Sequence, residues 1–351
     1  MTARVASFDM AGAGDVSALD RWLAGLPGPD AVRRLVVFAK TEGHHAPNDF
    51  SRDLLKLKLD QLFQQHRVAD RAISMLAIGS EGVGSPKGFV FAELADSDAA
   101  DPAGPERLAV GFARSVVVPV EEIGRLPLVD RVADTARTAM LDAGLAPAQV
   151  RLLFIKTPLV AARHPGATAV NSTMHRGRAI SALGGGVALG EVDRWRLAED
   201  MIARDLSVHT RHVQGVTGAE IDRVEVVALG NRPGAGGALK IATTHTRDIL
   251  DQQSLRALLA REGFSIGPFG ELQDGDRIEA LIAKAMVAED GLVRGARTTV
   301  YTSGWAPESH IRAAASGVLG SLLGHLRFFV SADAVHQAPP GGGVASIVFR
   351  A

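Results

Sequence analysis

Three short apolar runs share one grammar. Each opens on an arginine, continues through apolar positions and closes on a lysine: Arg34-Leu-Val-Val-Phe-Ala-Lys40, Arg151-Leu-Leu-Phe-Ile-Lys156 and Arg277-Ile-Glu-Ala-Leu-Ile-Ala-Lys284. Runs of this length predict buried strands. A strand is likewise predicted over Ala72–Ile78, over Val224–Leu229 and over Val344–Phe349, with another entering Ser331 from Leu326. Helical spacing of apolar residues marks a short helix after Asp15 or Ser17, the stretch after Arg52, and Leu128–Ala143 ending near Gly144. A further helix is predicted at His245–Leu250, a polar hairpin at Glu289–Tyr301, and a flexible loop at 96–107.

A second element recurs as well. Arg178 stands twelve residues before Gly190, and Arg312 twelve before Gly324, each opening an Ala/Gly/Leu-rich helix. The first of these helices carries Gly184-Gly185-Gly186, a run that costs about 1 kcal/mol of helix propensity per glycine and so predicts tight backbone packing or close ligand approach. Such internal repetition decides the fold before anything else does. The expected architecture is α/β: three α+β repeats, 1–119, 120–252 and 253–351, in pseudo-threefold symmetry around a central β-barrel-like core with helices outside. The apolar run Leu108–Val118 is taken as the close of the first unit.

Composition changes this picture little, but it narrows function. With 46% hydrophobic and 22% charged residues, the 351-residue chain can bury a large core. A net charge of −1 leaves no electrostatic footprint for nucleic acid or a membrane surface. The absence of cysteine excludes disulfides, zinc–thiolate sites and a thiol nucleophile. No signal-like h-region or long apolar span is visible, which makes a cytoplasmic protein the expectation.

Threefold repetition would bring Lys40, Lys156, Lys284 and three arginines around one cavity. Cations so gathered call for a small, planar, acidic ligand, and a lysine crowded by like charge is depressed enough to serve as a base toward a serine hydroxyl. The opposing reading is that each lysine merely ends a strand and each arginine is a solvated helix-start residue.

The segments AKTEG, NDFSR, RAISALG, VALGE, SGVL and HQAPPGGG resemble the ring-opening amidohydrolases, the cyanuric acid hydrolase and barbiturase family. The resemblance spans essentially the whole chain. It implies a barrel-like trifold α/β protein in which three Ser/Lys pairs and three arginines surround a cyclic imide, and it implies a homotetramer. By position, the lysines fall on Lys40, Lys156 and Lys284, and the arginines on Arg52, Arg178 and Arg312. The serines are where the chain departs. Ala77 and Val216 occupy two of the three serine positions, and only Ser331 keeps a hydroxyl.

The expected site therefore has Lys284 and Ser331 as base and nucleophile, with Lys40 and Lys156 beside them. Arg52, Arg178, Arg312, Ser80, Thr217, Gly79, Gly218 and Ala332 would contact substrate. Ala77 and Val216 make the floor more apolar and favour a substrate with a hydrocarbon part. The alternative is a lyase, isomerase or cyclase moving a proton by lysine, or a non-catalytic binder of an acidic metabolite. His175 is a candidate acid or base or an exposed loop residue, while His325 and His336 are read as packing residues. No cofactor is expected for the chemistry. The resemblance also implies a structural Mg or Ca ion at the HQAPPGGG turn, held by Gln337, Pro340 and Gly343, with Glu289 standing in because Met286 occupies a position where the family tends to have glutamate.

Overall fold

Sheet topology repeats three times in the computed structural model, which describes residues 1–44, 49–95, 104–161, 164, 171–268 and 270–351. The first unit runs β1 (Thr2–Asp9), α1 (Ser17–Ala24), β2 (Val32–Thr41), α2 (Ser51–Gln65), β3 (Ala72–Ile78) and β4 (Lys87–Leu94). The second follows with β5 (Arg107–Val117), α3 (Leu126–Ala143), β6 (Val150–Pro158), α4 (Met174–Leu189), β7 (Val213–Gly218) and β8 (Arg223–Arg232). The third has β9 (Leu239–Thr246), α5 (Gln252–Arg261), β10 (Ile278–Ala285), the small hairpin β11 (Leu292–Val293) and β12 (Ala296–Arg297), α6 (Pro307–Leu323), β13 (Phe329–Ala332) and β14 (Gly343–Arg350).

The strand orders β1-β4-β2-β3, β5-β8-β6-β7 and β9-β14-β10-β13 are the same order written three times. In each sheet the lysine-bearing strand (β2, β6, β10) runs parallel to the strand that follows it and antiparallel to the unit's last strand. The parallel pair is bridged by a helix, as parallel strands require. Among the described residues the three sheets stay separate, so the expected barrel is not closed by hydrogen bonds. What fills the middle is side chains.

Both faces of each sheet are covered, which explains why the strands read as continuous apolar runs rather than alternating ones. Outer faces pack on their own helices, giving three peripheral cores. Inner faces meet in a fourth, central core to which all three units contribute. Its middle is Phe38, Phe154 and Phe329, edge-to-face with ring centroids 5.0 to 6.4 Å apart.

Two further readings of the sequence are corrected here. The run Leu108–Val118 lies largely in β5, which pairs with β8 and so belongs to the second sheet rather than closing the first. His245 and Thr246 end the strand β9, and the helix starts only at Gln252, capped by the Asp251 carboxylate accepting from Ser254 N at 3.1 Å. Polar threonines and histidine hide the strand, because β9 buries few of its positions. The strands β1 and β4 have no counterpart in the pattern reading. Most of the loop predicted at 96–107 lies outside the described residues, as does Asn48.

The triple glycine of α4 has a packing cause. A Cβ on Gly184 would sit 2.5 Å from Val132 on α3, and one on Gly185 would sit 2.7 Å from Ile155 on β6. The helix is thus wedged between its neighbours with no room for a methyl group.

Candidate active site

Register alone brings the lysines to equivalent places. Lys40 pairs with Ala77, Lys156 with Val216 and Lys284 with Ser331, each across a parallel ladder. These are the three positions at which hydroxyls were compared in the sequence. Adjacent parallel strands put register partners on the same face of the sheet, so Ser331 stands beside Lys284. Ala77 and Val216 join the central apolar core.

All three lysines are buried, at 3%, 1% and 2% exposure, which removes the reading that they end strands in solvent. Lys156 donates to Leu76 O at 2.9 Å and Lys284 to Gly215 O at 2.9 Å, so each reaches the third strand of the preceding unit. Lys40 breaks that pattern. It donates to Ile78 O of its own unit at 3.1 Å, with its amine 5.8 Å from the Phe329 ring centre.

The arginines lie in the first two turns of the helices that bridge each parallel pair, and each reaches an acid of another unit. Arg52 Nε lies 2.8 Å from Glu220, Arg178 Nη1 2.8 Å from Asp333, and Arg312 grips both oxygens of Glu81 at 2.5 Å. The pairs therefore run cyclically: first unit to second, second to third, third to first. Sequence reasoning missed these acids. The signal was present, since Glu81 and Glu220 each lie four residues past Ala77 and Val216. The third unit has Val335 at that offset, and its acid has moved to Asp333, two residues past Ser331.

Asp333 occupies that place under strain. Its φ of 65° is left-handed, a region glycine favours and aspartate tolerates better than most residues. Its carboxylate takes both Arg178 and His175 Nδ1, the latter at 2.9 Å. The Arg178 and His175 charges overcome burial and hold the carboxyl far below its ordinary range. In return Asp333 raises the His175 imidazole.

Burial, reinforced by Arg312 and Arg178, pushes the Lys40 amine well below its ordinary value of 10.5. Lys284 is pushed down likewise, by burial first and then by Arg178. Lys156 is lowered less, because it touches Glu220 directly. Burial acts to raise Glu220, but the charges of Lys156 and Arg52 outweigh it and keep the carboxylate ionised. The site thus holds two kinds of lysine: one salt-bridged, two electrostatically starved.

Other expected contacts sort as follows. Gly79, at φ 92°, lies under Arg312, and a Cβ there would be 2.7 Å from Nε. Gly218 backs Glu220 in the same way. The Ser80 hydroxyl, between Gly79 and Glu81, is buried and has no hydrogen-bond partner. Thr217 is tied up, since its hydroxyl donates to Thr157 O at 2.7 Å, on the side where α4 packs. Ala332 is fully buried beside Ala285. His336 ties loops together through Val208 O and Ala203 N, and His325 accepts from Arg327 N.

The expected ion would rest on main-chain carbonyls of the 336–343 turn, with Glu289 as side-chain ligand. Gln337 is buried with its carboxamide oxygen already accepting from Gly215 N at 2.9 Å. Pro340 and Glu289 are exposed, and Gly343 lies within the β14 ladder. Among the described residues no group of three His, Asp or Glu side chains converges as ligands.

A model of the amidohydrolase ring-opening proteins matches residues 4–350. The chain belongs to that family. It is 36% identical to a cyanuric acid amidohydrolase of Methylobacterium sp. over 99% of this chain and 97% of that one. It is 33% identical to a cyclic amide hydrolase of Azorhizobium caulinodans (97% and 98% covered) and 31% identical to barbiturase 1 of Nocardioides sp. (91% of each). A cyanuric acid hydrolase structure from A. caulinodans superposes with a TM-score of 0.88 at 32% identity, over 99% of both chains. A second, described as an evolutionary innovation by structural concatenation, gives 0.89 at 31% identity over 100% and 99%. This ring-opening amidohydrolase is accordingly a hydrolase of cyclic amides. Among the described residues no helix is long and apolar enough to cross a membrane.

Proposed function

We propose that this amidohydrolase opens a small planar cyclic imide or lactam with Ser331 as nucleophile and Lys284 as its base. The observation that carries the reading is the ladder pair Lys284–Ser331, the one pair of the three that keeps a hydroxyl. A neutral amine can donate one N–H to Gly215 O, which aims it, and still offer a lone pair to Ser331. Burial and Arg178 favour that neutral form.

In the first step the Ser331 Oγ–carbon bond forms, and Lys284 takes the hydroxyl proton. Collapse breaks the ring C–N bond, and Lys284 returns the proton to the leaving nitrogen. Water then hydrolyses the acyl-serine, releasing the ring-opened acid and restoring Ser331. Arg178 Nε, buried and without a hydrogen-bond partner among the described residues, is a guanidinium donor available to a developing oxyanion. Arg52 and Arg312 are committed to Glu220 and Glu81, and with Lys40 and Lys156 they set the positive field in which the ring sits.

Relatives of nearly equal identity carry cyanuric acid, barbiturate and general cyclic amide names, so the ring itself is a matter for assay. The test follows ring absorbance of cyanuric acid, barbiturate and substituted imides with the wild-type protein and with Ser331→Ala. The expected loss in kcat is at least about 10³-fold, as for removal of a covalent nucleophile. Ring opening that survives in Ser331→Ala while Lys156→Ala abolishes it would instead assign lysine-driven proton transfer, the lyase, isomerase or cyclase alternative.

A further inference from the structure

We propose that the cavity beside Arg178 and Asp333 receives a substituent of the substrate ring, one with an apolar stem and an ammonium-type end. This rests on the ring-opening reading of the neighbouring centre. The cavity is of about 410 Å³, room for a side group of several heavy atoms. Met286, Pro307, Ile311 and the Tyr301 ring give it apolar walls. Tyr301 is held in place by donating to Val287 O at 2.7 Å.

Asp333 is the wall it shares with the catalytic cluster. Its carboxylate holds Arg178 on one side and His175 on the other, and Ser331 lies two residues back along the chain. A ring seated at Ser331 and Lys284 would therefore have this cavity as its neighbour.

The charge of the cavity is opposite to that of the centre. Burial, joined by the charges of Asp333, Glu289, Glu308 and Asp290, pushes the Tyr301 phenol up to about 12. Against the three lining carboxylates, Glu289, Glu308 and Asp333, stand Arg178 and His175, both engaged by Asp333, with Arg178 also 3.7 Å from Glu308. Glu289 is exposed at the rim and forms no ion pair among the described residues. An apolar wall ending in surplus carboxylate matches an alkylammonium and repels a second anion. Met286 supplies soft, adaptable apolar surface to this wall.

The experiment uses one imide ring in three forms: unsubstituted, n-butyl and 4-aminobutyl. Each is measured by ring opening with wild-type protein and by calorimetric binding to Ser331→Ala, which reads the cavity whatever the chemistry. The aminobutyl ring should bind about fivefold more tightly than the butyl ring, the scale of a partly exposed ion pair. Glu289→Gln, at an exposed position, should erase that ratio. Equal binding of the two, or a ratio unchanged in Glu289→Gln, overturns the pocket even where all rings are opened. A preference that persists in binding while no ring is opened supports the pocket and sinks the hydrolytic reading.

Discussion

Lys284 and Ser331 show how one residue's environment decides its chemistry. A lysine in water is protonated and useless as a base at neutral pH; burial, then the Arg178 charge, pushes Lys284 well below that ordinary value and so toward the neutral form. The kcat/KM of ring opening should therefore rise with pH through an apparent value well below the 10.5 of free lysine, as Lys284 loses its proton. The same shift bears on stability. Between the folded value and 10.5 the unfolded chain binds more protons than the folded one, so the lysine term weakens the fold as pH falls through that window. Replacing Lys284 with Met should flatten this slope in denaturant titrations between neutral pH and pH 10, and a slope equal to wild type would contradict it. Asp333 is the other telling residue. Its carboxylate closes the third ion pair from a left-handed backbone.

At the scale of the element, α4 is the informative case. Three consecutive glycines weaken a helix, and they are tolerated because each face of it meets a neighbour too closely for a Cβ. Gly184→Ala gains about 1 kcal/mol of helix propensity but drives a methyl group into Val132 and the Val129 carbonyl. Overpacking of that kind costs about 1–3 kcal/mol, so the net change should be a loss of stability, read as a lower denaturation midpoint at unchanged slope. Arg178 and Thr217, both on elements that α4 packs against or carries, should then report any shift of the helix through weakened substrate binding. The strand β9 teaches the converse. Thr243, Thr244, His245 and Thr246 do not alternate with apolar residues, and they form a strand because β14 offers them a ladder.

For the whole molecule, the central core is what makes three units one protein. Phe38, Phe154 and Phe329 come from three different sheets and are fully buried against each other. Phe154→Ala should cost about 3–5 kcal/mol and lower one calorimetric transition for the whole chain. A separate early transition, leaving two units folded, would show that the sheets are energetically independent. The cyclic ion pairs act at the same scale, each joining two units, so the arginine–carboxylate ring of the candidate site exists only when all three are assembled.

Periodicity and repetition in the sequence determined that three strands end in lysine and that matched helices near Arg178 and Arg312 accompany two of them, while the family resemblance added Arg52 and a hydroxyl surviving only at Ser331. Those are local facts, written in adjacent residues. Only the tertiary structure decided which charges face one another. Glu81, Glu220 and Asp333 are each more than a hundred residues from the arginines they neutralise, and their pairing depends on how three sheets are rotated about a shared core. The open sheets in place of a closed barrel, and the acidic cavity beside a basic centre, follow from that same long-range packing, which no window of sequence contains.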